Sequence, residues 1–481
     1  MKLLALAFSL LPLAAAAQEP APPPPAAAGT EAAALKKTCD KGNAADCLTL
    51  ATMFRKGEGA PKDAGKGAGL LKKACELQLM EACFQLGEAH LAGDGVGKDA
   101  PKAALLLQRA CDGGNGPSCL RLAAVYTTGT DLEKDLGRAV ALLDKACTAG
   151  VVRGCGTLAV MRLEGTGGAK DPAAAVALFT KGCAGGDAES CGRLARQHRL
   201  GEGTAKDPAK ALKLAEQSCA AAYLPACYDV AVSAETARNL ARASDLYGKS
   251  CAGGVAAGCR SLGLMTRSGN GMAKDVPLSV GLFKKACEGE DGPGCYEYAV
   301  HLAAGTGVTR DVSDAATRYR QACNHADPRG CYALGLLYSG TGAMVKDSVR
   351  AARLFSEACT AGNIPACSKM GQMYEKADGV GRDLDKAVAL YSKTCDAGVA
   401  SDCDSLARHY QRGSYLRQDI NAAAKRFEQG CKGGVNASCY ELAILVQTGQ
   451  GITRDPARAL ALFKQACAAG EPQACERAKR Q

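Results

Sequence analysis

The cysteines of this chain form thirteen Cys-x7-Cys pairs with none left over, and successive pairs begin 36 residues apart. In order they are Cys39 and Cys47, Cys75 and Cys83, Cys111 and Cys119, Cys147 and Cys155, Cys183 and Cys191, Cys219 and Cys227, Cys251 and Cys259. Then come Cys287 and Cys295, Cys323 and Cys331, Cys359 and Cys367, Cys395 and Cys403, Cys431 and Cys439, and Cys467 and Cys475. One interval is short, with 32 residues from Cys219 to Cys251. A fixed period of this length describes one supersecondary unit stacked many times, not a single globular core.

The N-terminal region divides into two segments before the repeats begin. Residues 1–17 (MKLLALAFSLLPLAAAA) read as an export signal: Lys2 is the positive end, Leu3 to Leu13 the apolar stretch, and Ala15-Ala16-Ala17 a small-residue cleavage site. The apolar run is too short for a permanent membrane span. Residues 18–30 are rich in proline and alanine and are expected to form an extended tether, leaving 31–481 for the repeats. No transmembrane anchor is expected. The localisation implied is periplasmic or secreted, where cysteines in this number persist as disulfides.

Metal sites are a poor alternative use for these thiols. Zinc ligands come at closer cysteine spacings with histidine nearby, whereas this chain has five histidines and no C-x-x-C. No metal and no cofactor is expected. A net charge of +10 spread over 481 residues does not announce nucleic-acid binding, and with no tryptophan and 5% aromatics there is little to stack on bases.

Between the cysteines, each unit reads as two helices around a glycine turn. Three residues after the second cysteine comes an apolar residue (Leu50, Leu86, Leu122, Leu334, Leu442), then a small one (Ala51, Gly87, Ala123, Gly335, Ala443). This puts a knob and a hole on one helix face. Glycine pairs such as Gly93 with Gly95 and Gly449 with Gly451 mark the turn. Twelve residues before the next first cysteine stands an aspartate (Asp63, Asp99, Asp135, Asp171, Asp207, Asp275, Asp311, Asp347, Asp383, Asp419, Asp455), three times followed by proline. Asp followed by Pro is an N-cap and the favoured first-turn residue, so these aspartates are predicted to cap the second helix. Four and eight residues beyond the cap come a small and a bulky residue, as at Ala175 and Phe179 or Ala351 and Phe355, which share a face and predict a core stripe. The helix is predicted to end at the first cysteine, with the glycine three beyond it (Gly114, Gly150, Gly186, Gly254, Gly362, Gly398, Gly470) as C-cap. The short unit lacks the glycine turn but keeps Asn239 as cap, Ala243 and Tyr247. A kink near 227–251 is expected there.

Two disulfide patterns fit such hairpins. Pairing across Cys-x7-Cys joins one unit's second helix to the next unit's first, whereas pairing such as Cys83 with Cys111 closes a single hairpin. The second leaves Cys39 and Cys475 without partners, and the first uses every cysteine. Twelve full units are then expected from Cys47 to Cys467, with a leading helix over about 31–39 and a polar trailing one from Cys475.

Segments such as CYALGLLYSGTGAMVKDSVRAARLFSEAC, from Cys331 to Cys359, resemble the Sel1-like repeat, a relative of the tetratricopeptide repeat. With the paired cysteines and the export signal, the chain is similar to the Helicobacter cysteine-rich protein subfamily. The resemblance implies an all-α, right-handed α-solenoid that binds protein or peptide partners on its curved surface. It also brings an alternative, the penicillin-binding or slow β-lactamase activity attached to some cysteine-rich relatives. A serine β-lactamase needs S-x-x-K with S-D-N and K-T-G elements. No S-x-x-K occurs, and the nearest fragments, Ser401-Asp402-Cys403 and Lys393-Thr394-Cys395, lack the third residue. No catalytic residue is predicted.

The other motifs are weak. Gly93-x-Gly95-x-Gly97-Lys98 sits where every repeat turns, and Asn436-Ala437-Ser438 is a glycosylation sequon at a disulfide corner. His90, His198, His301, His325 and His409 are scattered, and helix packing is expected of them. Lysines before the caps (Lys98, Lys170, Lys206, Lys346) are expected to serve solubility. The densest charge on a first helix is Arg193, Arg196 and Arg199, with Arg162 one unit earlier. This is the candidate binding face, suited to an acidic peptide or an anionic envelope polymer.

Overall fold

The computed structural model describes residues 25–340, 344–413 and 417–480. The export signal and the start of the tether lie outside them. Among the described residues there are 26 α-helices and no strand. The chain divides into two compact units, one ending at Tyr223 and one beginning at Leu224. The first holds a leading helix and five hairpins, the second seven hairpins and a trailing helix. Within each unit every helix packs on its neighbours in sequence, as in an α-solenoid. No described helix is long and apolar enough to cross a membrane.

One hairpin shows how the sequence builds all of them. The first helix, Met80–Ala92, ends at Gly93, whose left-handed backbone (φ 78°) turns the chain out of the helix. The second, Ala100–Asp112, starts at Asp99, whose carboxylate accepts the Lys102 N–H at 2.9 Å. Every aspartate predicted as a cap accepts the backbone N–H three residues on, and Asn239 does the same in the short unit. Each such cap contributes about 1 kcal/mol. The knob-and-hole reading also holds. Leu50, Leu122 and Leu406 are buried, and a methyl group added at Gly335 or Gly371 would collide with the ring of Phe355 or Tyr391 from the same hairpin's second helix.

The cystines follow the Cys-x7-Cys pattern and not the single-hairpin one. Cys39 is bonded to Cys47, Cys75 to Cys83, Cys111 to Cys119, Cys147 to Cys155, Cys183 to Cys191 and Cys251 to Cys259. Further along, Cys287 is bonded to Cys295, Cys323 to Cys331, Cys359 to Cys367, Cys395 to Cys403, Cys431 to Cys439 and Cys467 to Cys475. These bonds hold their Cα atoms 4.3–4.8 Å apart. Cys219 and Cys227 are also disulfide-bonded, and no cysteine is free. The second cysteine of a pair sits in the core: Cys119, Cys155, Cys191, Cys259, Cys295, Cys367 and Cys439 are all buried. Each staple closes a short loop, worth about 2.5 kcal/mol in the chain-entropy treatment.

Several details differ from the sequence reading. The leading helix spans Pro25–Asp40, so it starts before residue 31 and takes in the end of the proline-rich segment. Second helices run one residue past the first cysteine, and the predicted C-cap glycine lies just beyond the cap. At Gly114 (φ +86°) the N–H donates to Cys111 O at 3.0 Å and the next N–H, of Asn115, to Ala110 O at 2.9 Å. This pair of bonds is the Schellman motif, which needs the left-handed residue one place later. Four units put a side chain there: Gln78, Ala222, Glu290 and Ala326, at φ 61–66°.

The second glycine of the turn has a separate duty. A methyl on Gly95 would overlap the Ala64 carbonyl oxygen, at the start of the preceding hairpin's second helix. Gly203 against Pro172 and Gly379 against Ser348 repeat the contact. Hairpins therefore touch through bare backbone at the end away from the cystine. Gly95→Ala is expected to lower stability by about 2–3 kcal/mol, from strain and overlap together. Gly114→Ala, with nothing near its methyl, should cost only about 1 kcal/mol; equal losses in urea unfolding would contradict the contact. Conversely, Glu290→Gly and Ala326→Gly are each expected to raise stability by about 0.5–1 kcal/mol in the same measurement.

Candidate interaction surfaces

The first-helix faces carry polar residues stitched from one hairpin to the next. Arg121 Nε meets Glu88 at 2.6 Å, Arg267 Nη1 meets Glu297 at 2.6 Å, and Arg408 Nη1 meets Glu441 at 3.5 Å. Glu297 also receives Arg329 at 3.6 Å, and the Arg329 guanidinium lies 4.4 Å from the Tyr296 ring centroid. Tyr296 in turn leans on Tyr319 at 5.8 Å.

Arg193, Arg196 and Arg199 lie together on the first helix Ala188–Leu200. Arg193 is half-buried and paired with Glu189 at 2.8 Å, so part of the expected charge is compensated locally. Arg196 and Arg199 are exposed. Arg193 and Arg196 both pull the Tyr223 hydroxyl toward ionisation, although burial outweighs them and raises its pKa. Arg162 is half-buried and lies against Gly168 in its own turn.

The opposite edge of each hairpin holds a recurring arrangement that sequence reading missed. The residue seven after the second cysteine is aromatic in several units, and the lysine or arginine three after the cap covers it. Lys66 lies 5.8 Å from the Phe54 ring, Arg138 5.7 Å from Tyr126, Arg350 5.6 Å from Tyr338 and Lys386 5.3 Å from Tyr374. Each cation also bridges its own cap, as Lys386 does Asp383 at 2.9 Å. The Lys386 backbone N–H and ammonium hold the Asp383 carboxyl below its ordinary pKa. His90 and His198 take the aromatic place in two units, with Lys102 and Lys210 at the cation's position. Both are buried, as expected for packing, and His301 and His409 are buried as well, whereas His325 caps the C-terminus of Val312–Asn324 and is exposed.

The lysines before the caps do more than dissolve the chain. Lys98 reaches Asp131 at 2.9 Å, Lys170 reaches Glu202 at 3.2 Å and Lys346 reaches Asp378 at 3.3 Å, each acid in the next hairpin's turn. Exposed pairs of this kind add between 0 and about 1 kcal/mol each. The β-lactamase-like fragments meet at one corner, where Asp402 accepts from Thr394 Oγ1 at 2.6 Å and from Ser368 Oγ at 3.0 Å. Thr394 and Asp402 are 0% and 1% exposed, so a substrate has no access to them. In the sequon, Asn436 is committed to Ala469 O at 2.8 Å and Ser438 is buried. Cys323, Cys331 and Glu357 approach one another, but both sulfurs belong to one disulfide and offer no thiolate to a metal.

Hollows lie between second helices of consecutive hairpins. They measure about 610 Å³ over Tyr126, about 330 Å³ over Met370 and Tyr374, and about 330 Å³ over Leu86 and His90. On the first-helix side, about 500 Å³ opens beside Tyr440, Arg477 and Arg480.

Stacked hairpins stapled by cystines within each unit define the class: a disulfide-bonded α-solenoid. The Sel1 repeat model matches residues 47–79, 81–115, 116–151, 157–187, 188–223, 256–291, 292–327, 328–363, 364–399, 403–435 and 436–471, and the chain belongs to that family. The stretch 224–255, which the model leaves unmatched between two matched repeats, contains the short hairpin. Among solved structures it is similar to a protective antigen of uropathogenic Escherichia coli with an SLR fold (22% identity, 86% of this chain and 89% of that one, TM-score 0.70). It is also similar to the Helicobacter pylori cysteine rich protein B (32% identity, 28% of this chain and 96% of that one, TM-score 0.24). A Sel1 repeat protein from Oxalobacter formigenes covers 50% of this chain and 99% of its own length, at 23% identity and TM-score 0.45. No curated protein matches the chain by sequence.

The buried Tyr319 under the Arg329–Tyr296 stack yields a test of this face. Burial pushes its hydroxyl up to about 12, against about 10 in an unfolded chain. The folded state therefore keeps the proton longer, so this contribution is complete below pH 10 and lost as pH rises from 10 to 12. Tyr319→Phe is expected to flatten part of the fall in urea midpoint between pH 9.5 and 11.5; an unchanged slope would contradict it.

Proposed function

We propose that the protein is an exported, disulfide-stapled scaffold that binds protein or peptide partners on its first-helix faces and carries out no chemistry of its own. Proteins of this family are in general interaction scaffolds. One observation carries the reading here: the residues that recur are occupied with capping, packing and stapling, while the polar positions of the first helices vary from unit to unit. Arg193, Arg196 and Arg199 hold the places that Arg121, Ala124 and Thr127 hold two units earlier. A surface that changes from hairpin to hairpin on a constant frame suits recognition of an extended partner. The uncompensated charge at Arg196 favours an acidic segment.

Export is supported by residues 1–17 and by the fully oxidised cysteines, which fit an extracytoplasmic compartment. A photo-crosslinker at Arg196 in the native host is expected to give discrete protein adducts, while one at the second-helix residue Lys213 gives none. Adducts only at Lys213, or at neither position in any growth condition, would contradict the assignment of the face. Purified oxidised protein is expected to hydrolyse nitrocefin no faster than buffer, and turnover abolished by a single substitution would overturn the non-catalytic reading.

A further inference from the structure

The geometry points to a small-ligand pocket between the second helices Ala64–Glu76 and Ala100–Asp112, built for an apolar amino-acid residue with an amide N–H and a free α-carboxylate. The hollow is about 330 Å³, the lower end of the range for such pockets. It exists because the wall Ala64–Glu76 presents Gly65 and Gly69, and a methyl on Gly69 would meet nothing. The floor is apolar, from Leu86, Val96 and Leu106.

One polar side chain stands in that floor, below the charged rim. His90 is 95% buried, with 5% of its surface left exposed, and its Nδ1 lies 3.1 Å from the Gly97 carbonyl oxygen. A carbonyl only accepts, so Nδ1 is the donor and in the neutral ring Nε2 carries the lone pair. Nε2 has no hydrogen-bond partner among the described residues. Phe54 and Tyr126 hold this place in the flanking hairpins, so packing alone does not call for an acceptor here. At the rim, Lys102 and Arg109 are exposed cations with no ion pair among the described residues, while Lys72 pairs with Glu76 at 3.9 Å. An apolar floor, one unpartnered acceptor and two uncompensated cations match an aliphatic side chain, an amide N–H and a carboxylate.

A free N-acylated amino acid and the C-terminal residue of a peptide share this chemistry. The site is separate from the first-helix face proposed above, and its failure would leave that reading standing.

The test is calorimetric and NMR titration of the full oxidised chain with N-acetyl-leucine, with a pentapeptide ending in leucine, and with that peptide's C-terminal amide. Binding of the first two is expected, with the amide about tenfold weaker for loss of a charge-assisted contact. His90→Phe, which borrows the neighbouring units' residue and so keeps the packing, should weaken binding about tenfold. Gly69→Leu, at an exposed helical position where it does not threaten folding, should abolish it. Equal affinity for N-acetyl-leucine and the peptide assigns the pocket to a free small molecule, and tighter peptide binding assigns it to a chain terminus. Absence of binding by wild type at millimolar ligand, or equal binding by wild type and both folded variants, would overturn the proposal.

Discussion

The corner where one hairpin hands over to the next is the constraint on which the stack depends. Within each compact unit a second helix ends in a Schellman turn, the chain reverses over a few residues, and a cystine holds the two helices 4.3–4.8 Å apart at Cα. The residues just before the two cysteines face one another with complementary bulk. A methyl on Gly182 or Gly430 would strike Ser190 or Ser438, and Thr394 meets Asp402 instead by a hydrogen bond. Close packing makes such positions sensitive to a single added carbon. A repeat protein has no long-range core to correct an error at a corner, so the covalent tie sets the register of every layer.

The far end of each hairpin is held by weaker means, and several coincide. The second turn glycine lays its backbone against the preceding helix start, the capping aspartate satisfies an N–H, and the N3 cation binds that aspartate while covering an aromatic ring. A lysine before the cap then reaches an acid in the next turn. Each contribution is about 1 kcal/mol or less, but they recur, so the open edge is knitted along each unit. The short hairpin, Leu224–Thr236 with Leu240–Ala252, omits the glycine turn. It keeps the cap, the small residue and the bulky Tyr247, whose hydroxyl donates to Glu235 at 2.7 Å.

Most of the frame could be read from spacing, because a 36-residue repeat shows each structural duty many times over. The caps, the core stripe and the pairing of cysteines are of this kind. The Lys386–Tyr374 and Lys98–Asp131 contacts were not legible for a different reason. Their partners come from different helices or turns, and the residue types vary from unit to unit, so spacing alone does not show which side chains meet. Spacing locates the C-terminal glycine but does not distinguish the cap from the residue after it, to which the left-handed geometry belongs. The arginine face shows the limit on the functional side. Sequence marked Arg193 by its periodicity but could not show that Glu189, one turn earlier, compensates it.

Cystines at the hand-over corners hold neighbouring hairpins in register, and hydrogen exchange on a protein carrying both Cys359→Ala and Cys367→Ala tests this most directly. Protection is expected to fall together in Ser348–Thr360 and Ile364–Lys376, by up to roughly 60-fold for one lost staple, while hairpins several repeats away keep theirs. Unchanged protection in those two helices, or a uniform loss along the whole chain, would contradict it.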